Sequence, residues 1–260
     1  MTDCSNLMRN ILPTKMKTSI FSALLIGICS ATQLIAQDVS SKNSSYADLT
    51  IGIGSISSVA LGYQYNWKMG KKQKLELGVG GRFSSFIASD KYYVTAPAKI
   101  SKGSSGPGAF FKEPITMNMD SVLLPSGQVN SLNVMLNIVY NFSSKFRAGF
   151  NIDLIGFSFG GSQTGTYING NGAPGSQLLP VSASPAGFNL LLVAENDLGS
   201  LNSEFYVAYA INEKWSVKLG AQHIFMEYVT ATKVQQFPEP NDRFRITPNI
   251  ISVGGAYKLR

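Results

Sequence analysis

Cysteine, charge and long apolar runs are all scarce in this chain of 260 residues. Its two cysteines, Cys4 and Cys29, both lie near the amino terminus, so neither a disulfide framework nor a cysteine-ligated metal has support in the rest of the chain. A single histidine, His223, leaves a zinc site short of ligands. Charged residues make up 14% of the sequence, where soluble proteins average about 25%. The net charge of +7 is spread thinly and makes no nucleic-acid footprint. Leaving tyrosine aside, the longest uninterrupted apolar run beyond residue 36 covers only residues 190–194, whereas a membrane-spanning helix needs roughly 20. Long disorder is excluded from the other side, because 44% hydrophobic and 11% aromatic content is ample for burial.

What is present begins with a targeting segment. Lys17 supplies a positive start, residues 20–29 an apolar centre, and Ala36 a small residue at the end. This is the pattern of a secretory signal, too short to span a bilayer, with cleavage expected after Ala36. Met16 is the expected start, with residues 1–15 an upstream extension. Residues 1–36 are therefore read as extension and leader, 37–45 as a short lead-in and 46–260 as one domain. Cys29 follows Ile28, where lipid attachment wants Gly or Ala.

Period-two alternation dominates the rest and recurs in eight segments. Leu49, Ile51 and Ile53 open it, followed by Val59, Leu61, Tyr63, Tyr65 and Trp67, and then by Leu75, Leu77, Val79, Gly81 and Phe83. Leu132 through Phe142 and Phe146 through Leu154 continue it, with a parity slip at Ile155 that signals a β-bulge. Phe205 to Ile211, Trp215 to Ala221 and Ile251 to Leu259 complete the set. Short turns at 68–73, 143–145 and 212–214 alternate with long Gly- and Ser-rich connections at 85–127, 160–201 and 230–246. All the short turns thus fall at one end of the sheet. The run 190–194 is assigned to the third long loop, and the glycines between 156 and 175 read as part of a mobile surface loop. Gly52 and Gly54, like Gly78, Gly80 and Gly81, lack the spacing and following helix of a phosphate loop.

Alternation alone also fits a soluble β-sandwich, so two further features bear on the choice. Aromatic residues gather beside the short turns: Tyr65, Trp67, Tyr140, Phe142, Phe146, Tyr209, Trp215 and Tyr257. A lipid-facing band needs amphipathic rings at headgroup level, as an aromatic girdle. The opposite face is mostly Gly, Ala, Ser and Asn, where a solvated sandwich would carry Lys and Glu. The expected fold is all-β: a closed antiparallel up-and-down transmembrane β-barrel of eight strands, ten being the alternative count.

These segments resemble the small eight-stranded barrels of the OmpA/OmpX type, within the bacterial outer-membrane β-barrel domain family. The resemblance covers residues 46–260 and rests on pattern, not on a sharp motif. It implies short periplasmic turns, long surface loops, a place in the Gram-negative outer membrane, and contacts with outer-membrane lipid, lipopolysaccharide and the barrel-assembly machinery. The family's terminal strand usually ends on an aromatic residue. Here Tyr257 and Leu259 fit the alternation and Arg260 takes the end.

Polar residues expected inside are Glu76, Arg82, Arg147, Asp153, Glu204, Lys218 and Lys258. A barrel of eight strands is filled by its own side chains, and buried charges must pair, so these residues are read as an interior network that plugs the barrel. His223 is the one candidate histidine base, with Glu227 four residues on and Ser216 before it. No serine lies within three residues of His223, and parity turns it toward the lipid face. The expected role is structural or surface interaction without catalysis, metal or cofactor, with an extracellular ligand open at the long loops. A lipid-modifying enzyme using His223, a narrow diffusion channel and a secreted soluble binding module are the alternatives.

Overall fold

The computed structural model describes residues 42–170, 178–192 and 196–260. The leader, the cleavage site after Ala36, Cys4 and Cys29 lie outside the described residues. Twelve described strands form one antiparallel sheet: β1 (Asn43–Ile53), β2 (Ser57–Met69), β3 (Leu75–Thr95), β4 (Ser121–Asn141), β5 (Phe146–Phe159), β6 (Gln163–Ile168), β7 (Leu179–Pro185), β8 (Phe188–Leu190), β9 (Leu201–Ala210), β10 (Trp215–Thr230), β11 (Arg243–Ile246) and β12 (Asn249–Lys258). One short helix, α1 (Ala98–Ser101), and 3-10 turns at Pro107–Phe111 and Thr116–Asn118 lie between β3 and β4.

The pairings run in two circuits. In the first, β1 pairs with β2, β2 with β3, β3 with β4, β4 with β5, β5 with β9, β9 with β10, β10 with β12, and β12 with β1 again. Eight strands therefore have neighbours on both sides. The second circuit uses the far ends of β3, β4 and β10. There β4 pairs with β6, β6 with β7, β7 with β10, β10 with β11, and β11 with β3. These pairings occupy Val94 to Thr95 of β3, Ser121 to Leu123 of β4 and Met226 to Thr230 of β10, beyond the long-connection end of the first circuit.

The long connections are therefore more ordered than their composition suggests. β3 reaches Thr95 and β4 starts at Ser121, so the expected loop at 85–127 shrinks at both ends. Asp90 carries a positive φ of 51°, and the pairing of β3 with β4 skips both it and Pro125, which has no N–H to give. Parity reverses there. Arg82, Ser84, Phe86 and Ala88 are buried before Asp90, whereas Tyr93 and Thr95 are buried after it. The glycines at 156–175 also differ from expectation. Gly156 sits within β5 and Gly165 within β6. A Cβ on Gly156 would collide with the Leu132 carbonyl oxygen, which explains why a strand position holds glycine. Within the 190–194 run, Leu190 ends β8, which pairs with Ile155 to Phe157 of β5, while residues 193 and 194 lie outside the described set. β1 begins at Asn43, inside the expected lead-in. The bulge falls in β5, where Val134 faces Ile155 and Met135 faces Asp153.

Inside the circuits polarity changes with height. Near the short turns the buried face carries Asp48, Glu76, Arg82, Asn133, Asn137, Asp153, Glu204 and Lys218. Further up the same strands it becomes apolar, with Phe86 and Ala88 on β3, Val129, Leu124 and Val122 on β4, and Ile224 and Met226 on β10. With Tyr93, Tyr167, Val181, Tyr228, Phe244 and Ile250 these form one buried cluster that runs from the upper end of the first circuit into the second. Phe86 is wholly buried there. Phe86→Ala should cost about 3–5 kcal/mol, read as a lower urea midpoint in detergent together with faster proteolysis of the 96–120 connection.

Candidate functional site

The best-defined constellation is the polar core of the first circuit. Arg82 on β3 meets Asp153 on β5, its Nη2 2.6 Å and its Nε 3.0 Å from Oδ1. Its Nη2 also donates to the Asn202 carbonyl, and Nη1 lies 3.8 Å from Glu204 Oε2. Lys218 Nζ on β10 lies 3.1 Å from Asp48 Oδ1 and 3.2 Å from Glu204 Oε2. Arg82, Asp153, Glu204 and Lys218 thus join with Asp48 in one network spanning five strands. Neutral donors complete it: Asn133 to Asp153 at 2.8 Å, Gln64 to Asp48 at 3.1 Å and Asn151 to Glu204 at 3.2 Å. The Lys218 ammonium also sits 4.3 Å from the Tyr206 ring centroid. A Cβ on Gly149 would run into that ring, so only glycine lets it lie across the interior.

Three expected interior residues sit nearer the short turns. Glu76 accepts from Ser44 Oγ at 2.6 Å, Asn141 Nδ2 at 2.9 Å and Asn66 Nδ2 at 3.3 Å. Arg147 is half-buried, stacked 4.0 Å over the Tyr46 ring and donating to Ser216 Oγ at 3.1 Å. Lys258 departs from expectation: it is exposed. It ends β12, where the interior opens to solvent, and an ammonium keeps its hydration there without needing an internal partner. Asp48 and Asn133 were missed. Inward parity extended one residue back from Leu49 would have found Asp48, and Asn133 looked like filler on the small-residue face.

A second charged cluster, not anticipated, lies in the upper circuit. Buried Glu227 on β10 faces Arg243 Nε at 2.7 Å and Arg245 Nε at 3.2 Å, and both arginines also donate to the Asp197 carbonyl. Burial pulls Arg245 below its ordinary value, with Glu227 opposing the shift. In the same circuit Tyr167 donates to Asp120. Burial pushes its phenol upward, and the carboxylate adds to the shift.

The structure does not bring the histidine constellation together. His223 is exposed, its Nδ1 2.7 Å from Asn249 Oδ1 and its ring edge-on to Phe225. Glu227 turns to the arginines on the face of β10 opposite Met226 and Tyr228, and all three are buried because both faces of the strand are covered there. Ser216 belongs to Arg147. Among the described residues, no three His, Cys, Asp or Glu side chains are placed to hold a metal.

The eight aromatics beside the short turns meet as four pairs: Tyr65 with Trp67, Tyr140 with Phe142, Phe146 with Tyr209, and Trp215 with Tyr257, at centroid separations of 4.9–5.3 Å. Three of the pairs are edge-to-face and the Phe146–Tyr209 pair is tilted, geometries that the ring quadrupole favours over a face-to-face sandwich.

No family model matches the sequence, and no curated protein does either. Among solved structures the chain is similar to Neisserial surface protein A, at 10% identity and a TM-score of 0.34 over 85% of this chain and 99% of that one. It is similar to Ail, the attachment invasion locus protein of Yersinia pestis, at 7% identity and a TM-score of 0.29 over 83% and 94%. A major outer membrane protein from Thermus thermophilus is similar at 10% identity and a TM-score of 0.35 over 84% and 100%.

Arg82 and Asp153 offer a direct test of the core. Arg82→Met alone leaves a carboxylate buried with fewer donors and should cost about 3–5 kcal/mol, whereas Arg82→Met with Asp153→Leu should recover most of that loss. A double-mutant cycle from urea unfolding in detergent measures both, and additive losses would show that the two residues do not act as a pair.

Proposed function

We propose that the chain is an integral outer-membrane protein whose eight-strand circuit is a closed transmembrane β-barrel, and that it serves as a structural or surface-interaction protein without catalysis. The observation that carries this reading is the inversion of its faces. Along the circuit the outward positions expose Leu49, Leu61, Leu132, Val134, Leu219 and Val253, each at 50% or more, while the alternate positions bury Asp48, Gln64, Asn133 and Lys218. A water-soluble fold hides the first set and hydrates the second. An uninterrupted apolar belt of this kind marks a membrane surface. A closed circuit also leaves no strand edge to hydrocarbon, where an unsatisfied amide is costly.

The paired aromatics support a headgroup level near the short turns, and the reading puts those turns in the periplasm and the second circuit at the cell surface. Eight strands leave an interior that side chains can fill. The charged network fills it below, and the apolar cluster closes it above, which supports a plug over a diffusion path. The neighbours of His223, an amide and a phenylalanine, support an interfacial role and supply no nucleophile. No described helix is long and apolar enough to cross a membrane, so any spanning falls to the strands. Partners at the surface would meet the second circuit and the 96–120 connection.

Labelling tests the arrangement. A protease site inserted at Gly106 should be cut in intact cells, while one at Lys71 should be cut only after the outer membrane is permeabilised; the reverse pattern overturns the orientation. Val134→Arg places a charge in the apolar belt at a cost of about 2–4 kcal/mol. It should lower the membrane-inserted fraction on urea-washed fractionation, with Val134→Leu unaffected. Equal recovery of both variants would favour a soluble fold.

A further inference from the structure

At the short-turn end the first circuit opens into a cavity of about 680 Å³. Lys68, Lys72, Lys74, Lys145, Lys214 and Lys258 line it, with Arg147 toward its floor, against only two carboxylates, Glu76 and Glu213. Seven cations facing two anions in one concavity focus a positive potential that open solvent would otherwise disperse. Glu76 is already held by Ser44, Asn66 and Asn141. Arg147 contacts Ser216 and the face of Tyr46, and its buried Nε has no hydrogen-bond partner among the described residues. Asn141, Ser143, Ser144 and Asn212 add neutral polar groups to the same walls.

We propose that this cavity binds a compact anion carrying two or more phosphate groups. Lysine dominates the lining six to one over arginine. The fork of arginine matches carboxylate and phosphate alike, whereas lysine acts as a mobile point charge, so this lining answers to the density of negative charge, which a compact diphosphate supplies in the smallest volume. One phosphate would sit over Arg147 and the amides and hydroxyls around it, and a second among the lysines of the three short turns. The volume accommodates a diphosphate and not a folded partner, and the plug above it keeps the anion at the mouth. The site stands on the geometry of the cavity and does not depend on which compartment it faces. Such a ligand could be free in solution or carried on a lipid bearing two phosphates, and the shared chemistry is the same.

Titration calorimetry of the full chain in a zwitterionic detergent at low ionic strength, with inorganic pyrophosphate as the probe, tests the site. Saturable binding is expected, tighter than for orthophosphate and weakened by added salt. Lys72, Lys145 and Lys214 are exposed on the turns, so Lys72→Gln, Lys145→Gln and Lys214→Gln together should leave the fold intact and weaken pyrophosphate binding by about tenfold or more. Arg147→Gln should weaken it separately. Lys99→Gln, Lys112→Gln and Lys233→Gln remove the same charge at the opposite end and should change binding by under about twofold. Equal losses from the two triple variants, or no pyrophosphate binding by the unmodified chain, would overturn the proposal. Cardiolipin in mixed micelles separates the sources. Displacement of pyrophosphate assigns the site to a lipid headgroup, retention assigns it to a soluble diphosphate, and either result upholds a paired-phosphate site.

Discussion

Backbone amides facing hydrocarbon can be satisfied only by other backbone amides, and in a sheet this holds for every strand only when the last strand returns to the first. The antiparallel register of β1 with β12, from Tyr46 opposite Lys258 to Ile53 opposite Ile251, is where that return is made. Once the circuit is closed, each side chain has one of two fates, fixed by parity. Outward positions must suit lipid in the proposed setting, and inward positions must fill a narrow column. The charge pairs, the glycines that yield to Tyr206 and the stacked rings at the rim all follow from that division.

The column is built in two chemistries. In the lower part, charges pair across β1, β3, β5, β9 and β10, so removing one member leaves its partners buried with fewer opposite charges. In the upper part Phe86, Val129, Ile224, Met226 and their neighbours pack as the interior of a water-soluble protein does. The change occurs around Ser84, Ser131, Gln222 and Ser252, small or neutral polar residues that suit either side. A polar column alone would offer ions a sequence of exchangeable partners. An apolar layer across its end removes the next partner, so in the proposed reading the two halves together would seal better than either.

Much of the lower circuit could be read directly from sequence, because alternation is strict wherever one face is exposed and apolar and the other lines a crowded interior. Arg82, Asp153, Glu204 and Lys218 were legible for the same reason: a charge on the inward parity has nowhere to go but into a pair. The upper circuit was not legible. At Asp90 and Pro125 the parity of β3 and β4 reverses, and at Phe86 and Ala88 the inward face becomes apolar, so the pattern that announces a strand dissolves. β6, β7 and β11 are short strands, each with one partner far away in sequence, and no local signal brings Glu227 to Arg243 and Arg245. Lys258 shows the converse limit, since parity says which way a side chain points and not whether the place it points to is closed.

The second circuit also bears on how the long connections would meet a partner. Hairpins that merely dangle from a rim lose conformational freedom when something binds them, and that loss subtracts from affinity. Here β6, β7 and β11 are hydrogen-bonded into the extended ends of β3, β4 and β10 around a shared apolar centre, so the ordering has been completed during folding. If the proposed surface role holds, the crown would be a pre-organised platform: residues on the outer faces of these strands could change while its shape is inherited from the column beneath.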